Sequence, residues 1–317
     1  MSLESAATKL VAGGRHAAFR SKSAGPHPLI SDYFVCVGAQ KASTTWLFAM
    51  LGEHPDIFTT PVKEIHYFDH VRGVTSHLSQ RKRRARRRKY LQRLAFDWRR
   101  FPQYRSQWAW YRDYMRNPID DAWYESLFRH RGGAKLAGEA TPEYALLGQE
   151  GFRHIKRLAP DARAIFVMRN PLTQAWSQFV HFEHKKDDRG VRGGSAGAID
   201  FWESAYSAPF RDYARTMDDL VAVFGADKVK FLFFEDIHAD RRAALEALCT
   251  FLGVAFRPEH FGDLSRPLNV SRPAAIPDEL RDHLVEQYRR VVVDVRDRLG
   301  TIPQSWRDDF FAPPPSN

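Results

Sequence analysis

The chain has 317 residues, of which 44% are hydrophobic, 13% aromatic and 27% charged, which suits a globular protein with one large domain or two small ones. Its formal charge of +10 is concentrated, because residues 81–100 carry eleven Lys/Arg against one Asp and leave the remainder close to neutral. The excess therefore marks one segment and excludes a uniformly basic fold.

Residues 1–29 read as a loosely held tail, and Met1–Gly25 contains no apolar core of a signal peptide. No stretch reaches the ~20 apolar residues of a membrane span. Cys36 and Cys249 both lie in apolar patterns and read as buried free thiols. A reduced, cytoplasmic location is the expectation. Phe34–Val37 predicts a buried strand, followed by a turn and a helix over Ser43–Leu51 with an apolar stripe at Trp46, Leu47, Met50 and Leu51. Ile57–Thr59 predicts a short strand, and residues 61–68 an extended or turn segment. An insertion over about 71–128 carries the basic run and then an aromatic helix near Trp108–Phe128, whose Trp108, Trp110, Tyr111, Tyr114, Trp123 and Tyr124 have faces that suit sugar rings but the helical spacing of core packing. Strands are expected at Lys135–Gly138, Arg163–Met168 and Val229–Phe234. Helices are expected at Pro171–His184, Asp236–Leu252 and Pro277–Leu299, with a mobile loop over Lys185–Gly197. The alternation of strands and helices predicts an α/β fold, one domain over 30–310 with a central parallel sheet flanked by helices. The proline-rich residues 311–317 read as a disordered tail.

Two turns carry the chemistry. Gly38-Ala-Gln-Lys-Ala-Ser-Thr-Thr45 places Lys41 and three hydroxyls where a helix begins, and a helix N-terminus attracts phosphate-like anions. The order differs from that of nucleotide-triphosphate loops: the second glycine is absent and Ala42 separates Lys41 from Ser43. Met168-Arg-Asn-Pro171 follows a second strand, with Ser177 two turns into the next helix; an arginine fork there suits a phosphate. Ligands of such folds bind at the carboxyl ends of the strands, so both turns face one crevice.

Together these motifs resemble the sulfotransferases that use 3′-phosphoadenosine 5′-phosphosulfate (PAPS), over about residues 33–300. The resemblance implies a P-loop-like three-layer fold. It assigns Lys41, Ser43, Thr44 and Thr45 to the 5′ end of the donor, Arg169 and Ser177 to its 3′-phosphate, and adds Gln40, Ala42 and Trp46 to the donor-binding residues. Lys63-Glu-Ile-His-Tyr-Phe68 resembles a segment of the heparan-sulfate-type and bacterial carbohydrate sulfotransferases. That implies Glu64 as catalytic base, with Lys41 assisting at the leaving group and Lys63 and His66 near the acceptor. Gly138-Glu-Ala-Thr-Pro-Glu-Tyr144 resembles an acceptor-lining loop and adds Glu139, Thr141 and Tyr144. A late loop adds Asn269, Ser271 and Arg272 to the donor site. The implied product is 3′-phosphoadenosine 5′-phosphate (PAP), and the acceptor a small molecule or glycan. No metal-ligand cluster stands out among 13 scattered histidines. A different class of reading is a nucleic-acid or anionic-membrane binding protein acting through Arg81–Lys89. The sulfotransferase reading expects no nucleic acid, and gives residues 81–100 either an acidic polymer or surface to hold or the place of a solvated excursion. A kinase-like phosphoryl transferase is disfavoured by the missing Gly-Lys-Ser/Thr order.

Overall fold

The structure, a computed structural model, describes residues 30–96, 107–186, 194–204, 207–264 and 276–311. The expected terminal tails, part of the basic segment, most of the expected loop after His184, and Asn269, Ser271 and Arg272 lie outside these residues. Five parallel strands form one sheet in the order β2-β3-β1-β4-β5: β1 Tyr33–Gly38, β2 Ile57–Thr59, β3 Leu136–Ala140, β4 Arg163–Met168 and β5 Val229–Phe233. Every residue of β1 is buried, as a central strand covered on both faces requires. From β1 the chain passes first to β2 and β3 on one side, then to β4 and β5 on the other. The carboxyl ends of β1 and β4 thus flank the point where the winding reverses, which is where open α/β sheets hold ligands.

The helices are numbered in chain order. On the β2 side of the sequence lie α1 Thr44–Leu51, α2 Tyr67–Val71, α3 Gln80–Phe96, α4 Trp108–Tyr114 and α5 Asp121–Ser126. Then come α6 Gly148–Leu158, α7 Pro171–Lys186, α8 Gly194–Glu203, α9 Tyr213–Phe224, α10 Phe234–Ala239, α11 Arg241–Leu252, α12 Asp278–Leu299 and α13 Gln304–Phe311. The stripe Leu280, Leu284, Tyr288, Val292 and Val295 buries one face of α12, which packs on α7 and α9. Phe152, Ile155 and Leu158 of α6 pack against α9 in the same way.

Three sequence expectations change. The single aromatic helix is two short helices, with Asn117-Pro118 between them and Asp120 capping α5 through the Trp123 N–H at 2.8 Å. The helix expected from Asp236 is divided at Asp240, whose carboxylate accepts from Ala243 N at 2.9 Å and starts α11. The basic run is no free excursion. Arg83 is fully buried; its guanidinium donates to Gln80 Oε1 at 3.1 Å, Asn117 Oδ1 at 3.0 Å, and the carbonyls of Tyr114 and Arg116. It also lies over the Tyr114 and Trp123 rings, 5.5 and 5.4 Å from their centroids. Tyr90 stacks on Tyr111 at 4.0 Å. One face of α3 therefore seals the aromatic layer, while Arg81, Lys82, Arg84, Arg87, Arg88 and Lys89 face solvent. Trp110, Tyr111, Tyr114, Trp123 and Tyr124 are core residues, as their spacing predicts, whereas Trp108, in the first turn of α4, is exposed.

Candidate active site

The turn after β1 is built on left-handed backbone. Gly38 has φ 151, and a Cβ there would stand 3.1 Å from the Pro142 carbonyl, so only glycine lets β1 turn here. Lys41 and Ser43 also have positive φ, at 65 and 59. No acidic residue occupies the first turn of α1, which leaves its N–H groups suited to an anion. Ser43 does not cap the helix with its hydroxyl; Ser43 Oγ meets His238 Nε2 of α10 at 2.9 Å. Thr44 is buried and Thr45 half-buried. Trp46 is buried with its indole N–H unpartnered, and the Arg241 guanidinium lies 5.6 Å over its ring.

Gln40 is consumed in holding the turn. Its carbonyl accepts from Gln174 Nε2 at 3.0 Å, its Oε1 from Gln178 Nε2 at 2.8 Å, and its Nε2 reaches Glu143 Oε1 at 3.5 Å. Ala42 is fully buried and contributes backbone alone. Arg169 binds the turn from the other side: Nη1 donates to the Lys41 carbonyl at 2.9 Å and Nε to Thr173 Oγ1 at 3.0 Å. Its guanidinium lies 4.4 Å over the Phe234 ring, and burial lowers its pKa. The two strand-end turns meet, as the motifs imply. Ser177, on α7, is buried with its hydroxyl unpartnered.

The second half of the site is the segment before α2. Glu64 and His66 both have left-handed backbone, with φ 64 and 60. Between them, Ile65 N donates to Glu139 Oε2 at 3.2 Å, and Glu64 N donates to the Ala140 carbonyl at 3.2 Å. The segment is thereby pinned to the end of β3. Glu64 Oε1 takes the Lys63 ammonium at 2.6 Å, and its Oε2 stands 3.8 Å from His66 Nε2. Burial would raise the Glu64 pKa, but His66 and Lys63 outweigh it and hold the carboxyl well below the usual range. His66 is buried, with Nδ1 on Asp69 Oδ2 at 2.9 Å and 3.9 Å from Glu143 Oε2. Desolvation works against its charge, yet the surrounding carboxylates raise its pKa to about 9, so it is an imidazolium at neutral pH.

Glu139, Thr141 and Tyr144 are fully buried. Thr141 Oγ1 and Tyr144 Oη donate to Glu139 at 2.7 and 2.9 Å, as does Tyr124 Oη, and Tyr144 Oη accepts from Tyr67 N at 3.0 Å. They lie beneath the Glu64–His66 segment and support it, so the expected direct contact with an acceptor is replaced by a positioning place. Sequence reasoning passed over Asp69, Glu143, Gln174, Gln178 and His238. The three-residue spacing of His66 and Asp69 was a usable signal for the first; the others join the site only through long-range packing.

A sulfotransferase family profile matches residues 34–258. The chain belongs to the sulfotransferase family. Mouse heparan sulfate glucosamine 3-O-sulfotransferase 3A1 is 24% identical over 226 residues, 69% of this chain and 45% of that protein. Human heparan sulfate glucosamine 3-O-sulfotransferase 3B1 matches at 24% over 226 residues, with the same two shares, 69% and 45%. The chain spans less than half the length of these curated relatives. Among solved structures, a sulfotransferase from Alicyclobacillus acidocaldarius superposes with a TM-score of 0.61 at 22% identity, covering 90% of this chain and 99% of that one. The sulfotransferase domain of the Synechococcus olefin synthase gives a TM-score of 0.50 at 19% identity, covering 84% and 96%. At these identities the likeness is one of fold. Among the described residues, no helix of this sulfotransferase-family chain is long and apolar enough to cross a membrane.

Proposed function

We propose that this chain transfers the sulfuryl group of PAPS to a hydroxyl of a carbohydrate, glycolipid or glycosylated metabolite. The carrying observation is a continuous polar path from the phosphate-type turn to the Glu64 carboxylate. Gln40 Nε2 meets Glu143 Oε1 at 3.5 Å, Glu143 Oε2 stands 3.9 Å from His66 Nδ1, and His66 Nε2 stands 3.8 Å from Glu64 Oε2. An anion site and an ionised carboxylate thus share one framework.

The residues fit a donor with phosphate at both ends. Ser177 Oγ is a buried hydroxyl without a partner, on the helix that follows Arg169. Lys41, Ser43, Thr44, Thr45 and the first N–H groups of α1 would hold the 5′ end, and Arg169 with Ser177 the 3′-phosphate. When bound, PAPS supplies an electrophilic sulfuryl group and a phosphate leaving group, PAP. Lys41 and the N-terminus of α1 offset negative charge at that end. Glu64 Oε1 or Oε2 accepts the proton of the acceptor hydroxyl. A carboxyl held this low is a weak base toward a resting alcohol, so the proton moves late, as the oxygen forms its new bond. His66, oriented by Asp69, keeps Glu64 ionised, and Lys63 leaves Glu64 for an approaching acceptor. The Glu64→Gln variant tests the base: PAP formation from PAPS over a panel of glycan acceptors should fall by about 10²–10⁴ while PAP still binds. Unchanged turnover would remove Glu64 from that role.

The curated relatives are named for 3-O transfer to heparan sulfate glucosamine, which favours a sugar hydroxyl over an amine. The solvent-facing cations of α3 favour a second element of the reading, an acidic polymer or surface held beside the cleft. Deleting those charges should then raise the acceptor KM and leave PAP binding intact.

A further inference from the structure

The histidine and carboxylate cluster behind Glu64 has a composition that acceptor activation does not require. His66, His77 and Glu143 each place one ligand atom within 4.8 Å of the other two. Nothing in the sequence joins them: His77 lies in the turn between α2 and α3, and Glu143 follows β3. Glu143 is 7% exposed, and its Oε2 has no hydrogen-bond partner. Among the described residues neither ring nitrogen of His77 makes a hydrogen bond, and its ring centroid stands 4.7 Å from that of His66. Asp69 holds His66 Nδ1 at 2.9 Å, as an outer-sphere carboxylate orients a metal-binding imidazole, while Nε2 faces Glu64 Oε2 at 3.8 Å. Asp69 Oδ1 is a second buried, unpartnered carboxylate oxygen in the same cluster.

We propose that His66, His77 and Glu143 form a site for one divalent transition-metal ion of the zinc class. Two imidazoles and one carboxylate are a donor set that suits zinc, with one position left open. Ligands around a tetrahedral ion at ~2.0–2.1 Å stand about 3.4 Å apart, so the three side chains need close by little more than an ångström. The half-buried His77 turn gives the ion a way in from solvent. An ion held here displaces the proton of His66 and draws the Glu64 carboxylate, whose Oε2 faces that ring at 3.8 Å, away from an acceptor. The site is therefore inhibitory; this last step rests on the sulfotransferase reading, whereas metal binding does not.

Calorimetric titration of the metal-free full chain with zinc chloride tests it. The expected result is one saturable ion, bound at least tenfold more weakly by His77→Ala and by Glu143→Gln, with both variants keeping the wild-type circular-dichroism spectrum. Cobalt(II) should show the visible absorption of a tetrahedral nitrogen–oxygen set in the wild type and lose it in His77→Ala. Equal zinc affinity in wild type and the folded variants, or no saturable binding, overturns the site. Zinc should also inhibit PAP formation by the wild type and spare His77→Ala. Inhibition of both to the same extent, or of neither while zinc binds, overturns the inhibitory role alone.

Discussion

Nη1 of Arg169 donates to the backbone carbonyl of Lys41 across 2.9 Å, so the end of β4 clamps the turn that follows β1. One arginine at the end of β4 thereby holds the conformation of the opposing turn. Arg169→Lys keeps the charge and loses the fork that reaches Thr173 and Lys41 together. PAP affinity should drop about tenfold or more, since hydrogen bonds to a charged group contribute ~1.5–3 kcal/mol each. Isothermal titration with PAP checks this; undiminished affinity would leave Arg169 a purely structural strut.

His66 gives the site an alkaline limit. Its folded pKa of about 9 lies above the ordinary 6.5, so the stability it contributes is complete below 6.5 and is lost as pH rises through about 9. The shift corresponds to stabilisation on the order of 3 kcal/mol. Urea denaturation with chelator present, from neutral pH to about pH 10, should show this decline in the wild type and a flatter profile in His66→Asn. Glu64 stays ionised throughout this window, so the pH dependence is read in stability.

Arg83 separates a structural charge from the surface ones around it. Removing its buried guanidinium in Arg83→Ala leaves the Tyr114 and Arg116 carbonyls without their donor and should cost about 3 kcal/mol or more. Arg87→Ala, on the exposed face, should stay within about 0.5 kcal/mol of wild type. Parallel urea denaturation curves decide it, and equal effects would contradict the docking of α3.

Glu139 acts through the backbone of Ile65, the residue between Glu64 and His66. Glu139→Gln keeps the side-chain shape and puts a donor among the hydroxyls of Tyr124, Tyr144 and Thr141. The expected result is a fall in kcat with little change in KM or in PAP affinity. A rise in KM alone would instead mean that Glu139 touches the acceptor.

The parts of the site that were legible in the sequence are local. Strand, turn and helix are contiguous around Lys41 and again around Arg169, and Pro171 marks the start of α7 at its first residue. The strands were legible to within one or two residues, most plainly β1 and β4, which are nearly continuous buried apolar runs. What escaped was long-range or capped by a single side chain. His77 and Glu143 meet His66 only through the fold. Arg83 is indistinguishable by sequence from its exposed neighbours, because its burial depends on the carbonyls of Tyr114 and Arg116. Asp240 ends one helix and begins another with one hydrogen bond inside an otherwise uninterrupted helical pattern.

The most direct measurement needs no acceptor: thermal unfolding of the full chain with PAP or with ATP and magnesium. A site built from the Lys41 turn, Arg169 and the unpartnered Ser177 hydroxyl predicts a concentration-dependent rise in Tm with PAP, lost in Lys41→Ala, and little or none with ATP and magnesium. Stabilisation by ATP and magnesium with no response to PAP would contradict the account.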